Sequence, residues 1–166
     1  IGPGDVQWTT AASGLVHEEF HGRDFAQRGG VLEVVQLWVN LPARDKMSPP
    51  RYQSILDSQI PAIRLPNGQG SVRVIAGEFD GTAGPADTFT PMNVWDLRLT
   101  SEQPIDLIVP DGHNTLLAVL KGSVRVSDSE TINAAEVGVF DRIGDCIHMD
   151  SAPNTTALLL CGEPID

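Results

Sequence analysis

The sequence predicts an all-β protein, a sandwich or barrel assembled from many short strands. Three observations predict it. Sixteen glycines and twelve prolines are spread through 166 residues and are not pooled in one linker. Between them lie short runs rich in Val, Ile, Leu and Thr, and strong helical periodicity is missing.

The runs are Val34–Val39, Ser71–Ile75, Val94–Leu99 and Leu116–Leu120. In the third, Trp95, Leu97 and Leu99 alternate with Asp96, Arg98 and Thr100, which predicts a strand with one wet face. Lys121-Gly122 parts Leu116–Leu120 from Ser123–Val126, a hairpin signal. The best helical candidate is one short turn over Pro50–Leu56, followed by a Pro-spaced connector from Ile60 to Gly70.

Composition narrows the function classes. A hydrophobic fraction of 41% and a mean hydropathy of −0.06 exclude a disordered tail. No apolar run reaches the ~18 residues of a spanning helix, so no membrane role is expected. Twenty-two acidic against eleven basic residues give a net charge of −11, which disfavours direct nucleic-acid binding. Cys146 and Cys161 form no CxxC pair; two lone thiols point to a reducing compartment, the cytoplasm, and read as small buried core residues. Ile1 stands directly against the turn Gly2-Pro3-Gly4-Asp5, as after an internal cut.

Gly4-Asp5 and Gly144-Asp145 each lead into strand-like sequence, and a slide of 140 residues sets His17 against Ala157 and Glu19 against Leu159. Such a repeat suggests a duplicated barrel whose first copy alone keeps polar residues at these places.

Those residues lie in Leu15-Val16-His17-Glu18-Glu19-Phe20-His21. In a strand, residues two apart share a face, so His17 and Glu19 would point together and Glu18 away. An imidazole nitrogen and a carboxylate oxygen on one barrel face make half of a metal site, suited to iron, manganese, nickel, copper or zinc. An exposed polar strand face accounts for the same pair. His21 is a further step of two. His113, in Pro110-Asp111-Gly112-His113-Asn114, reads as a turn residue, and His148 as a partly buried structural one. Neither a phosphate-cradling loop nor a Gly-x-Ser-x-Gly elbow is present.

Two stretches together resemble the pirin family of the cupin superfamily. One runs Gly4-Asp5-Val6-Gln7-Trp8-Thr9-Thr10-Ala11 and on through Gly14-Leu15-Val16-His17-Glu18-Glu19; the other is Gln36–Met47, closing with Pro49-Pro50-Arg51-Tyr52-Gln53. Weaker similarity continues through Val74–Phe79, Leu107–Val126 and Gly162-Glu163-Pro164.

The resemblance implies an all-β cupin (jelly-roll-like) double barrel with the N-terminal barrel incomplete. Residues 1–57 would be the remnant of a metal-binding barrel, 58–70 a connector, and 71–166 a C-terminal barrel without metal. Family members hold one divalent transition metal, usually iron, through three histidines and one glutamate. Two of these ligands fall on His17 and Glu19, and the others belong to a His-x-His strand that this sequence does not contain.

The family's Met-Pro after the glutamate is Phe20-His21 here, so His21 either replaces a ligand or decorates the barrel mouth. Residues Arg23 to Val35 are longer than the family's connecting hairpin.

The activity implied for the intact protein is that of a quercetin 2,3-dioxygenase-type oxidoreductase on a flavonol-like aromatic, with Glu19 also as catalytic base. The alternatives are a non-enzymatic, redox- and metal-dependent regulator that binds a protein partner, and an inactive truncated fragment. Exposed barrel edges would favour a homodimer.

Overall fold

The structure is a computed structural model that describes residues 1–165. Its regular elements are β1 (Val6–Thr10), α1 (Arg23–Arg28), β2 (Arg51–Ile55), β3 (Ala62–Arg64), β4 (Gly70–Ala76), β5 (Glu78–Phe79), β6 (Thr82–Ala83), β7 (Met92–Leu99), β8 (Ile105–Ile108), β9 (Asn114–Lys121), β10 (Ser123–Arg125), β11 (Thr131–Asn133), β12 (Val137–Phe140), β13 (Cys146–Ser151) and β14 (Thr155–Gly162). Two compact units result, one of Ile1–Asp57 with Ile165 and one of Ser58–Pro164.

In the first unit β1 and β2 pair antiparallel, with Val6 opposite Ile55 and Thr10 opposite Arg51. The segment expected as a helical turn is therefore a strand. Pro49-Pro50 hold the approach to it extended, and β1 offers it an edge in register. α1 begins after Gly22 and stops at Gly29, whose φ of 70° no β-branched residue would adopt readily.

The strands expected over 15–21 and 34–39 do not form, and Val16, Phe20 and Trp38 are almost fully exposed. A strand is held by ladder bonds to neighbours. Among the described residues of this unit, β1 and β2 are the only strands, and they pair with each other.

The second unit is built on two facing antiparallel sheets, with β5 and β6 paired as a separate two-stranded ribbon. One facing sheet has the order β12-β9-β14-β7-β4-β3, the other β11-β10-β13-β8. Val72, Val74, Trp95, Leu97, Leu117 and Leu159 from the first sheet meet Ile105, Leu107, Val124, Ile147 and Met149 from the second, all of them buried. Each such burial stabilises by about 1.5–3 kcal/mol before chain entropy is subtracted. The stretch expected as a connector supplies β3, an edge strand on β4.

Three local expectations are corrected. Lys121-Gly122 does not close a hairpin: β9 belongs to the six-stranded sheet and β10 to the four-stranded one. Gly122, at φ 78°, passes the chain from one sheet to the other over Thr155, whose Oγ1 a Cβ would meet at 2.3 Å. The outward side of β7 is not wet, for Val94 and Asp96 are buried and only Arg98 is exposed. Asp96 is compatible with burial because Arg73 stands opposite it on β4. Cys146 is exposed and Cys161 buried, so only one thiol is a core residue.

Candidate functional site

Residues 15–21 lie outside any strand, yet they keep His17 and Glu19 together. His17 Nδ1 is 3.9 Å from Glu19 Oε1, with the two side chains 55% and 61% exposed. A residue spacing of two in an extended chain is enough to align them without a ladder. The His21 ring lies 5.4 Å from that of Phe25, tilted by 60°, so it packs on α1.

The pair offers one nitrogen and one oxygen donor, the chemistry that a borderline divalent ion accepts. Among the described residues, no three His, Cys, Asp or Glu side chains gather into a set that could hold a metal ion. The residues present thus fit a metal in donor type and supply two donors of a larger set.

Among the described residues of the second unit, the interior between the two large sheets is filled by the apolar core. The 140-residue slide sets β1 against β13 along the chain but sets the strand-free residues 15–21 against β14. Ala157 and Leu159, the counterparts of His17 and Glu19, are fully buried on β14.

The remaining histidines find partners that the sequence reading missed. His148 Nδ1 is 2.5 Å from Asp106 Oδ1, directly across β8 and β13, and both side chains are exposed. His148 is therefore a surface residue and not a partly buried one. His113 follows its turn as expected, and its Nδ1 reaches to 3.6 Å from Cys161 Sγ. Burial pushes the Cys161 thiol up, partly offset by a hydrogen bond with Thr115. The signal for the His148 pair was strand register, and that for the His113 pair the docking of the turn before β9 on β14; spacing along one chain carries neither.

A family model described as Pirin matches residues 1–39, and the Pirin C-terminal cupin domain matches residues 94–166. A Thermoplasma acidophilum protein, provisionally named a quercetin 2,3-dioxygenase, is 33% identical over 182 aligned residues, covering 100% of this chain and 69% of its own. The chain belongs to the pirin family.

This pirin is also 48% identical to a Pseudomonas aeruginosa protein, again provisionally named a quercetin 2,3-dioxygenase, over 100% of this chain and 58% of that one. The crystal structure of quercetin 2,3-dioxygenase from Acinetobacter baumannii matches it with a TM-score of 0.92 at 46% identity, over 97% of this chain and 56% of that one. The pirin chain thus spans little more than half the length of those two relatives. Its fold is a cupin fold. No helix among the described residues is long and apolar enough to cross a membrane.

Proposed function

We propose that these 166 residues carry half of the metal site of a pirin that acts as a quercetin 2,3-dioxygenase-type oxidoreductase. The observation that carries the reading is the His17–Glu19 pair, imidazole and carboxylate 3.9 Å apart on one side of an open segment. Relatives 46% and 48% identical are named for quercetin 2,3-dioxygenase, which supports a flavonol-like substrate.

His17 would give a neutral ring nitrogen and Glu19 an ionised oxygen to one divalent transition metal, with iron the favoured ion. A bound ion would supply Lewis acidity where flavonol and oxygen meet. The further donors would come from outside these residues. Glu19 has a second oxygen, and that oxygen would take the proton of the flavonol hydroxyl. In the chain alone both side chains stand in water, which weakens every such contact. The two unpaired thiols suit a reducing compartment, and the reading places the protein in the cytoplasm.

The test is oxygen uptake with quercetin by iron-loaded protein of the relatives' full length. Flavonol-dependent uptake is expected, with a loss of about 100-fold or more in Glu19→Gln. Absence of uptake by the loaded, unsubstituted protein would overturn the reading.

A further inference from the structure

We infer that the facing edges of β11 and β12 form a docking groove for an extended protein segment with an apolar centre and basic flanks, which adds to β12 as a further strand. This inference concerns the second unit and does not depend on the metal reading.

Among the described residues, β11 pairs only with β10, and β12 only with β9. The two strands leave a shared turn at 134–136 and enter different sheets, so each presents an edge to the space between them. That space is a groove of about 680 Å³ whose walls include Glu130, Ile132, Glu136, Val137 and Val139.

β12 is short, but it carries none of the other devices that keep a strand edge unpaired. Val137-Gly138-Val139-Phe140 holds no charge, no proline and no bulge, and Val137 and Val139 are 56% and 75% exposed. An added strand would draw affinity from main-chain hydrogen bonds and seat alternate side chains beside the two valines.

Charge decides the occupant. Glu136 is exposed at the turn end of the groove, where it accepts hydrogen bonds from Asn133, and Glu130 and Asp141 are exposed at the far end, where β11 begins and β12 finishes. Of the neighbouring cations, Arg125 is engaged by Asp150, and Arg142 lies beyond the end of the strand. A second copy paired antiparallel about the middle of β12 would set Glu136 opposite Asp141, two like charges across a ladder. A segment with Arg or Lys on both sides of an apolar centre meets opposite charge at each end.

The probe is a fluorescein-labelled peptide, Arg-Arg-Val-Thr-Val-Thr-Val-Arg-Arg, followed by anisotropy and by amide hydrogen exchange of the protein. Expected are saturable binding, added protection confined to Thr131–Asn133 and Val137–Phe140, and no binding of the same peptide with Glu flanks. Val139→Lys and Glu130→Lys, both at exposed positions, should each weaken binding about tenfold while leaving the melting temperature unchanged. No saturable binding, affinity unchanged from the unsubstituted protein in both variants, or protection elsewhere would overturn the inference. Protection of β12 that grows with protein concentration and without peptide would overturn it too, by making a second copy the occupant.

Discussion

Arg73 and Asp96 face each other across β4 and β7, with Nη1 2.5 Å from Oδ2 and side chains only 7% and 10% exposed. Arg98 Nη2 reaches the same oxygen at 3.2 Å. A buried pair of this kind adds little over an apolar one, but losing one partner strands the other charge. Asp96→Ala is therefore expected to destabilise the fold by about 3–5 kcal/mol in urea unfolding. A loss near zero would mean that Arg73 is held by its other contacts.

Gly70 lies against the backbone of Arg98 and Leu99 in the six-stranded sheet. Gly70 has φ 131°, and a Cβ there would lie 2.1 Å from the Arg98 carbonyl oxygen. Neither the dihedral nor the space admits a side chain. Gly70→Ala should cost about 3 kcal/mol, read from the same urea transition. The exposed Gly68 is a control with the same kind of φ and open space, and Gly68→Ala should cost less.

The two cysteines should separate by reactivity. Cys161 is in the core and Cys146 on the surface, so a thiol reagent should label one group per folded chain and two after unfolding. The Cys146 thiol is raised by the solvent it loses, then by Asp106 and then by Asp145. Salt screens the carboxylates and should speed its labelling at pH 8. A rate indifferent to salt would contradict the electrostatic part of that cause.

Cys161 also sets a pH dependence. Its folded pKa is raised, so the unfolded chain releases the proton first as pH climbs. The stability this contributes is complete below the unfolded thiol pKa of about 8.5 and is lost above it. Unfolding free energy should fall as pH climbs above about 8.5, and Cys161→Ala should flatten that fall.

Much of the second unit was legible because its strands carry their own evidence. Ser71–Ile75, Val94–Leu99 and Leu116–Leu120 are apolar runs set off by glycine or proline, and all three became strands of one sheet. The buried state of Asp96 was not legible, because it depends on Arg73, 23 residues earlier. Nor was the sheet switch at Gly122, since a Lys-Gly dipeptide reads alike at a hairpin and at a corner.

In the first unit the same kind of pattern misled. Val34–Val39 has strand composition, but composition cannot supply the neighbour that a ladder needs. The pairing of His17 with Glu19 survived this failure, because a spacing of two aligns side chains in any extended segment.

The most direct test of the central claim is metal content per chain of the purified 166-residue protein, by elemental mass spectrometry after iron loading, beside His17→Ala. The account holds that His17 and Glu19 are half of a site. It predicts far less than one iron per chain, with no difference between the two proteins. Near-stoichiometric iron that disappears in His17→Ala would contradict it, because these residues would then complete a site without donors from elsewhere.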